Sequence, residues 1–410
     1  MSSMDFKPTN ETHVVDAIRW AISEREPLSV SGLGSKSGLG RATNTAHVLD
    51  MSAMSGVRYY EPGELVITVA AGTPLSEVEE LLGENNQQLA FEPVALNRIY
   101  GQAEKGERGT IGGLVAANLA GSRRLKAGAV RDHVLGFKAV SGRGEMFKSG
   151  GKVMKNVTGF DLSKLMTGSM GTLAVMTEVT LKVLPMPEKT RTVLVYGVDD
   201  DQATRAMTAA LNSPHEVSSA VYLPAAVARL SEVGRVGDAN TSVVAVRIEG
   251  PEPSVLERAS EITSLLGGFG RTDELHRTNS QRLWWETSEA SYFATGENTP
   301  LWRISVEPAK GAVLARNVLS ETGGEGYCDW GGGLLTLSIP GNPARSARAI
   351  RQSVAAVGGH ATLLRASETV RSTLDVFDPQ SDGIMALSRR IKKAFDPEGV
   401  LNPGRMYATF

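Results

Sequence analysis

A chain of 410 residues is longer than a single hydrophobic core usually serves, so we expect two or three domains. Its 41% hydrophobic and 21% charged residues are ordinary values for a globular protein and argue against a disordered or fibrous chain. The net charge of −2, with no long basic run, gives no reason to expect nucleic acid as a partner.

The first elements are a helix, a strand and a glycine-rich loop. Apolar residues at helical spacing predict a helix over 11–23, with Thr12 as its N-cap. A strand over 27–31 leads directly into the loop 32–38. This loop is not a Rossmann fingerprint, because the segment after its glycines is poor in helix formers. The backbone N–H groups of such a loop can still wrap a diphosphate. A solvated lysine is the alternative interpretation of Lys36. The candidate phosphate-binding residues are Gly32, Gly34, Ser35, Lys36 and Ser37.

A second glycine-containing segment follows a predicted strand over 64–72 and a predicted helix over 74–85. Here Gly112 and Gly113 precede a short helix of small residues, which would let a flat ring system pack against the backbone. A tight helix–helix contact is the alternative. Two glycine segments that each follow a strand favour one extended cofactor. The candidate contacts in this segment are Thr110, Gly112, Gly113, Ala117, Asn118 and Gly121.

The residues 128–147 predict a β-hairpin, with strands over 134–140 and 145–147 and a turn at 141–144. Arg131 and Asp132 lie just before its first strand. They either contact the cofactor or form a local ion pair, which contributes little at a protein surface.

The next stretch, 151–185, opens with small and polar residues and continues with the pattern of a short helix, a turn and a strand. Leu162, Leu165 and Met166 predict the helix, and the alternation that ends at Pro185 predicts a half-buried strand. Glycines at the turn let the backbone approach a ligand closely. A helix–turn–strand unit without any ligand is the alternative. The candidate contacts are Gly168, Ser169, Gly171, Thr172 and Val175.

Composition changes from residue 190 to about residue 365, where strands alternate with helices. The pattern predicts an antiparallel sheet backed by helices. An aromatic cluster in this region indicates the core of this domain or a partner interface more than a substrate contact. The tail, 382–407, is predicted to be a helix followed by turns. The aromatic cluster comprises Trp284, Trp285, Tyr292, Phe293 and Trp302.

Several motifs resemble known flavoproteins. The stretch GFDLSKLMTGSMGTLAVMTEVTLKVLP, which ends at Pro185, resembles the closing part of the FAD domain in vanillyl-alcohol-oxidase-type proteins, also called PCMH-type. A more specific set of motifs is similar to the family of FAD-binding E subunits of bacterial glycolate oxidase. That set is VMKN at 153–156, LWRIS at 301–305, DWGG at 329–332, GGHAT at 358–362 and NPGRMY at 402–407.

The resemblance implies an α+β fold with a PCMH-type two-lobed FAD-binding domain and an α/β cap domain that contains an antiparallel sheet. The expected boundaries are 1–187 for the FAD domain (lobes about 1–51 and 52–187), 188–380 for the cap, and 381–410 for a C-terminal segment that returns to the FAD domain. In the family, the first glycine loop holds the FAD diphosphate, and Asn402 and Arg405 lie near the flavin ring. That loop contains no His or Cys here, so the resemblance implies non-covalent FAD.

Oxidation of a 2-hydroxy acid by a flavin needs a cation for the carboxylate and a base for the hydroxyl proton. Arginine suits the first task, and the candidates are Arg303 and Arg365. His360 is the candidate base, with a structural role as the alternative. Related catalytic D subunits carry a His-x-His pair that is associated with a divalent metal. No such pair occurs among the six histidines here, so we expect no metal site.

By resemblance, the chain is a FAD-binding subunit of a multi-subunit glycolate oxidase (glycolate dehydrogenase), oxidising glycolate or a similar 2-hydroxy acid such as D-lactate. Its expected partners are a second FAD-binding catalytic subunit and an iron–sulfur subunit that receives the electrons, since the single cysteine, Cys328, cannot hold a cluster. One alternative is a structural FAD-bearing assembly subunit, with turnover confined to the partner. Another is a self-sufficient FAD oxidoreductase of the same fold, such as a flavoenzyme that reduces a nucleotide-sugar enol ether, although 190–365 lacks the basic character that such a substrate would need.

The lone cysteine also excludes an internal disulfide and suits a reducing cytosol. No apolar run approaches the roughly 18 residues of a membrane span, and the N-terminus has no apolar core of a signal peptide. We therefore expect a cytoplasmic protein that reaches the inner face of the cytoplasmic membrane only peripherally, through its complex.

Overall fold

A computed structural model gives the fold and describes residues 4–101, 108–151, 160–296 and 299–410. The VMKN motif and part of the polar connection before Thr110 lie outside the described residues. The chain divides into two units. The first unit comprises Met1–Leu119, Gly128–Met186 and Arg371–Phe410, and the second comprises Ala120–Ala127 and Pro187–Val370.

These units differ from the boundaries predicted from the sequence at two places. The C-terminal return was expected at 381, whereas the first unit resumes at Arg371. The segment 120–127 was expected in the FAD domain, whereas it clusters with the second unit. There the Ser122 hydroxyl donates to the Asp329 carboxylate at 2.6 Å. A contact across 207 residues of chain leaves no local signal in the sequence.

The described chain contains the following strands and helices. The strands are β1 (Asp5–Phe6), β2 (Leu28–Ser31), β3 (His47–Asp50), β4 (Val57–Glu61), β5 (Val66–Ala70), β6 (Gln87–Gln88), β7 (Val134–Ser141), β8 (Met146–Gly150), β9 (Ala174–Lys182), β10 (Leu184–Pro185), β11 (Lys189–Tyr196), β12 (Ser219–Leu223), β13 (Val243–Gly250), β14 (Arg271–His276), β15 (Leu301–Val306), β16 (Glu325–Asp329), β17 (Leu334–Ser338) and β18 (Gly359–Arg365). The helices are α1 (Glu11–Glu24), α2 (Leu75–Glu84), α3 (Ile111–Ala117), α4 (Arg124–Ala127), α5 (Leu162–Met166), α6 (Asp200–Leu211), α7 (Ala225–Ala228), α8 (Gly234–Gly237), α9 (Glu252–Leu266), α10 (Arg277–Ser288), α11 (Gly311–Thr322), α12 (Pro343–Val357), α13 (Glu368–Thr373) and α14 (Asp382–Phe395).

The largest sheet of the first unit is antiparallel, with the order β4–β5–β9–β7–β8. Its central strand, β9, was predicted to be half-buried, and that prediction is wrong. Met176 and Thr180 lie on the face expected to be exposed, yet they are only 8% and 6% exposed. The Thr180 hydroxyl also bonds with the Thr68 hydroxyl at 2.9 Å. Helix α3 packs directly on β9, and helices α1 and α5 pack on the neighbouring strand β7.

Helix α1 anchors the N-terminal part of the first unit. Its apolar stripe, which includes Val14 and Ile18, is fully buried against β2, β3 and the large sheet. The helix begins one residue after its cap, Asn10, whose side chain accepts a hydrogen bond from the backbone N–H of His13 at 3.0 Å. The predicted cap, Thr12, is therefore wrong. Both residue types suit an N-cap, and only the observed backbone geometry distinguishes them.

The second unit is built on one eight-stranded sheet with the order β14–β11–β13–β12–β16–β17–β15–β18. Every pairing in it is antiparallel, as predicted. Helices α6, α9, α11 and α12 pack on this sheet. Trp284 and Trp302 are almost fully buried, which places them in the core of the unit. Within the described residues, no helix is both long enough and apolar enough to cross a membrane.

Candidate cofactor and substrate sites

A cavity in the first unit lies where four segments of the chain meet. These segments are the end of β2 with the loop after it, the start of α3, the turn before β9, and the C-terminal tail. The space inside the cavity, including its solvent opening, is about 960 Å³.

The α3 segment of the wall begins differently from the sequence prediction. Gly112 and Gly113 were expected before the helix, but α3 starts at Ile111, so both glycines lie in its first turn. Thr110 is the N-cap, and its hydroxyl accepts a hydrogen bond from the Gly113 N–H at 3.2 Å. A threonine side chain can therefore start the helix before glycine, despite the low helix propensity of glycine.

Two kinds of glycine lie around the cavity. A Cβ on Gly32 would lie 2.4 Å from the Thr110 hydroxyl oxygen, and one on Gly112 would lie 2.8 Å from the Ala71 carbonyl oxygen. At Gly171, a Cβ would lie 2.8 Å from the Asn402 amide nitrogen. These three glycines therefore allow segments of the protein to pack together. Gly34 differs, because the space beside it is open. Its φ of 74°, like the φ of 68° at Gly171, favours glycine.

The C-terminal tail joins two walls of the cavity through Asn402. Its side-chain oxygen accepts a hydrogen bond from the Val30 N–H at 2.8 Å, and its amide nitrogen donates to the Met170 carbonyl at 2.8 Å. The tail also pairs with β2 through the backbone, since Leu28 N–H donates to Val400 at 2.8 Å. The sequence motif NPGRMY pointed to Asn402, but nothing in the sequence pointed to Val30 or Met170 as its partners.

Arg405 holds the first glycine loop from the tail side. One guanidinium nitrogen, Nη2, donates to the carbonyls of Lys36 at 3.1 Å and Ser37 at 3.2 Å. Burial, together with the positive charge of Arg371, lowers the pKa of Arg405 to about 10. The guanidinium group is therefore still charged at neutral pH.

The charge and shape of the cavity fit FAD. Among its described lining residues are two cations, Lys36 and Arg405, and no carboxylate. The hydroxyls of Ser35 and Ser37 lie beside Lys36 and can donate to phosphate oxygens. The remaining wall near α3 and β9 consists largely of small or apolar residues, which leaves a smooth surface for a flat ring. A dianionic diphosphate and a planar ring are the two parts of FAD that this lining suits.

The cavity brings together most of the residues predicted to contact the cofactor. Those that line it are Gly32, Gly34, Ser35, Lys36, Ser37, Thr110, Gly112, Gly113, Ala117, Gly171, Val175, Asn402 and Arg405. Lining residues that were not predicted include Ser29, Val30, Met51, Ala71, Met170 and Met176. Most of these belong to regular strands or to ends of strands, where apolar and small residues carry no distinctive signal.

Other predicted contacts do not line the cavity and instead shape the turn beside it. The Gly168 N–H donates to the Val115 carbonyl at 3.0 Å, which fastens the turn to α3. The Thr172 hydroxyl donates to the Ser169 carbonyl at 2.7 Å. Asn118 ends α3 in the left-handed conformation, with a φ of 51°. In this structure, the wall of the cavity is supported by four residues that do not line it: Gly168, Ser169, Thr172 and Asn118.

Arg131 and Asp132 make local contacts in the structure. The Arg131 Nε atom lies 3.9 Å from the Asp132 carboxylate, and both side chains are about half exposed. The same carboxylate accepts the Ala129 N–H at 2.9 Å. Gly121, the last predicted contact, belongs to the second unit, where its carbonyl accepts a hydrogen bond from the Trp330 indole at 3.1 Å.

In the second unit, Arg303 and His360 lie on neighbouring strands and on the same face of the sheet. Arg303 is opposite Thr362 on β18, and His360 is opposite Ser305 on β15. They are therefore diagonal neighbours, whose Cβ atoms are typically about 7–8 Å apart. His360 is exposed on the edge strand, and Arg303 is half-buried. This spacing suits two groups that act on one small substrate.

Arg365 has a different environment from the other two candidates. It is 3% exposed, and its guanidinium group donates to the Phe293 carbonyl at 2.8 Å and to the Thr299 carbonyl at 3.2 Å. These hydrogen bonds hold a connection before β15 in place. Arg303 is less buried, and its guanidinium group donates to the Ala120 carbonyl at 3.3 Å.

The DWGG motif places an aromatic ring between two arginines. The guanidinium carbon of Arg124 lies 4.5 Å from the Trp330 ring centre, and that of Arg303 lies 5.1 Å from it. Trp330 has a φ of 53°, an uncommon conformation for a bulky residue, and the next two glycines also have positive φ. The motif therefore fixes the position of the Trp330 ring, and this ring orients Arg303. The sequence analysis did not identify Arg124, which only the tertiary structure brings to this ring.

Two further features limit the chemistry of the described chain. Within the described residues, no group of three or more His, Cys, Asp and Glu side chains is arranged to hold a metal ion. Cys328 is buried, and burial raises the pKa of its thiol far above the ordinary value, with further contributions from Asp200 and Asp329. The thiolate form, which is the reactive one, is therefore suppressed.

Comparison with known proteins agrees with this description. A family model described as an FAD binding domain matches residues 3–150, and one described as the C-terminal domain of FAD linked oxidases matches residues 379–406. The chain is 34% identical over 395 residues to glycolate oxidase subunit GlcE of Escherichia coli, covering 96% of this chain and 97% of that protein. It is 26% identical over 328 residues to glycolate oxidase subunit GlcD of Bacillus subtilis, covering 73% of this chain and 68% of that protein.

Among solved structures, that of p-cresol methylhydroxylase with substrate bound superimposes with a TM-score of 0.70 at 13% identity, covering 98% of this chain and 89% of that chain. At this identity the likeness shows the fold alone, which is the predicted PCMH-type α+β fold. FAD is the cofactor, since the family match and the lining of the cavity agree. The chain belongs to the family of FAD-linked oxidoreductase subunits that includes glycolate oxidase subunit GlcE.

Proposed function

We propose that this protein is the FAD-binding subunit of a multi-subunit oxidoreductase that oxidises glycolate or a similar 2-hydroxy acid such as D-lactate. The observation that carries the proposal is the likeness to GlcE over nearly the whole of both chains. The carboxylate-free, cationic lining of the cavity independently supports the part of the proposal that concerns FAD binding. The relative GlcE is described as a subunit of glycolate oxidase. A second relative, GlcD, is also described as a subunit of glycolate oxidase.

The residues of the chain divide into two tasks. In the first unit, Lys36 and Arg405 with the glycine loop would hold the FAD diphosphate non-covalently, because the loop contains no His or Cys to attach it. Bound FAD supplies the two-electron acceptor for oxidation of the hydroxy acid. In the second unit, Arg303 would bind the substrate carboxylate in two places, as its planar fork allows. His360 would accept the hydroxyl proton.

We also propose that the electrons leave the chain for an iron–sulfur partner subunit. Cys328 is the single cysteine of the sequence, and it is buried. An iron–sulfur cluster typically needs four ligands, most often cysteines. A second FAD-binding subunit would complete the complex, and membrane contact would be peripheral and would come through these partners.

The test begins with the chain purified alone and loaded with FAD. Glycolate or D-lactate is added without oxygen, and bleaching of the flavin absorbance is followed; the measurement is then repeated with GlcD-like and iron–sulfur partners present. Bleaching by the lone chain supports oxidation at this subunit and contradicts the assembly-subunit alternative. Bleaching that occurs only in the complex does not show whether the flavin of this subunit or the flavin of its partner reacts. In that case selective reconstitution decides, with this subunit loaded with 5-deazaFAD, a flavin analogue that has a different spectrum.

A self-sufficient oxidoreductase of the same fold is the remaining alternative. It predicts sustained turnover by the lone chain with a soluble electron acceptor. Absence of any 2-hydroxy-acid oxidation, both alone and in the complex, would reject the proposed substrate class while leaving FAD binding intact.

A further inference from the structure

A buried lysine in the C-terminal helix connects two walls of the cofactor cavity without lining it. Lys392 is 5% exposed. Its ammonium group donates to the Asp396 carboxylate at 2.6 Å, the Thr172 carbonyl at 2.7 Å and the Leu401 carbonyl at 2.9 Å. An ammonium group has three protons, so these three acceptors use all of its donors. The position of Lys392 is therefore tightly defined.

Asp396 determines the shape of the tail that follows the helix. It is 1% exposed, and its carboxylate accepts the backbone N–H groups of Val400 at 3.0 Å and Leu401 at 2.9 Å. The turn at the tip of the β7–β8 hairpin closes over this carboxylate. A Cβ on Gly142 would lie 2.2 Å from the Asp396 Oδ1 atom, so only glycine fits there.

Two of the residues whose backbone groups are held by this pair are next to residues of the cavity. Thr172 follows Gly171, which lines the cavity, and Leu401 precedes Asn402, which also lines it. Asn402 in turn bonds to Val30 and Met170. The Lys392 ammonium group therefore ties the turn before β9 to the tail at the point where both reach the cavity.

A gain in the stability of the folded protein is a weak explanation for the presence of a buried ion pair. Removing two charges from water is costly, and well-packed apolar residues of similar size are often as stabilising or more so. A lysine also allows a geometry that an apolar side chain does not, because it holds two carbonyl oxygens and a carboxylate at fixed positions around one atom. Burial lowers the pKa of Lys392, and Asp396 opposes that effect.

We propose that Lys392 and Asp396 form a positioning pair that sets the distance between the 170–172 turn and the 401–405 tail, and through it the affinity for FAD. Neither residue touches the cofactor cavity, so both act through Gly171 and Asn402. The inference rests on binding of FAD in this cavity. It does not depend on which substrate the protein oxidises.

The test compares FAD affinity with stability in the full-length chain. Lys392→Met is expected to weaken FAD binding at least tenfold, measured by titration of the apoprotein with flavin fluorescence as the signal. Leu82→Ala is the control, because Leu82 is fully buried in α2 and does not line the cavity. It is expected to lower the unfolding temperature while changing FAD affinity less than twofold.

Circular dichroism in the visible range, recorded at saturating FAD, measures the flavin bands. A general loss of stability would not change these bands. The bands are expected to change in Lys392→Met and to stay unchanged in Leu82→Ala. Where Lys392→Met does not fold, Gly142→Ala replaces it, since the added methyl group displaces the Asp396 carboxylate while both charges remain.

The inference is overturned if the folded variant binds FAD within twofold of the wild-type protein. It is also overturned if Leu82→Ala weakens FAD binding as much as Lys392→Met does, since the effect would then follow stability alone. Failure of the wild-type protein to take up FAD would instead contradict the cofactor assignment itself.

Discussion

The side-chain oxygen of Asn402 accepts a hydrogen bond at 2.8 Å from the backbone N–H of Val30, which lies 372 residues earlier in the chain. Val30 belongs to the strand that leads into the first glycine loop, and Asn402 belongs to the C-terminal tail. This contact makes the end of the chain part of the wall of the cofactor cavity. An intact tail is therefore a condition for the site to form.

Replacing Asn402 by leucine keeps the size of the side chain and removes both hydrogen bonds. The partly buried partner groups on Val30 and Met170 would lose these hydrogen bonds, each of which contributes about 0.5–1.5 kcal/mol. We expect FAD affinity to fall at least tenfold in an equilibrium titration. Asn317→Leu, at an exposed position on α11, is the matched control and should bind FAD normally. Full retention of FAD by Asn402→Leu during gel filtration would contradict this role of the tail.

The family resemblance implied that Arg405 lies near the flavin ring, but its guanidinium group donates to the carbonyls of Lys36 and Ser37, in the loop expected to hold the diphosphate. Replacing Arg405 by alanine would remove the positive charge beside this loop. We expect FAD binding about tenfold weaker, which corresponds to about 1.4 kcal/mol, and less dependent on salt concentration. Because the pKa of Arg405 is about 10, its charge is present at neutral pH and is lost as pH rises through 10. The difference in affinity between wild type and variant should therefore shrink above pH 10. Exposed Arg348→Ala is the control, and an unchanged flavin content in Arg405→Ala would reject this assignment.

Glu249 makes the second unit sensitive to acid. Burial by itself would raise the pKa of its carboxyl group, but the charges of Arg247 and Arg123, with hydrogen bonds from Arg123 and Ser218, lower it to about 2 from the ordinary 4.5. The folded state therefore binds this proton more weakly than the unfolded state. The resulting stability, on the order of 3 kcal/mol, is present above about pH 4.5 and is lost as pH falls through 2.

Glu249→Gln should lower the free energy of unfolding of the second unit at pH 7 by about 3 kcal/mol or more, since it leaves buried arginines without their partner. The dependence on pH between 4.5 and 2 should flatten at the same time. Urea unfolding monitored by tryptophan fluorescence is suitable, because Trp284, Trp302 and Trp330 all lie in this unit. The exposed Glu257→Gln variant should leave both quantities unchanged. Equal effects of the two substitutions would count against the Arg123–Glu249 contact.

Cys328 should be chemically silent in the native protein. Burial is the main cause of the raised pKa of its thiol, so little thiolate exists at neutral pH. We expect a thiol reagent such as dithionitrobenzoate to label it only after unfolding in urea. The denatured sample supplies the control for complete labelling. Rapid, complete labelling of the folded chain would show that the surroundings of Cys328 are open.

Arg303→Met and His360→Gln test the candidate substrate site in the assembled complex. We expect Arg303→Met to raise the KM for the hydroxy acid, since a carboxylate contact is lost. We expect His360→Gln to lower kcat by about 10²–10⁴-fold, as is typical for loss of a general base. Exposed Arg345→Ala on α12 is the control. Unchanged kinetics in both variants would favour the alternative in which the partner subunit performs turnover.

Local patterns in the sequence predicted much of the fold. The strand before the first glycine loop, the hairpin of β7 and β8, and the antiparallel sheet backed by helices all follow from periodicity and turn residues that act over a few positions. The glycine loops also predicted one cofactor cavity, and the residues that line it were largely identified. FAD itself came from the resemblance to a known family.

Local patterns could not predict the contacts between distant parts of the chain. Arg303 and Arg365 look equally suitable in the sequence. In the structure, the guanidinium group of Arg303 lies beside the Trp330 ring, whereas that of Arg365 is buried against backbone carbonyls. Lys392 and Asp396 look like ordinary charges at the end of a helix, yet both are almost fully buried.

The sequence by itself determined many of the elements, because spacing and turn residues act locally, and its resemblance to a known family gave the fold class and the kind of ligand. Tertiary structure alone decided which residues support the cavity and which line it. The hydrogen bonds of Asn402 and Lys392 span 232 residues to Met170 and 220 residues to Thr172. No periodicity encodes such a separation, since it depends on the path of the whole chain between the two ends of the bond.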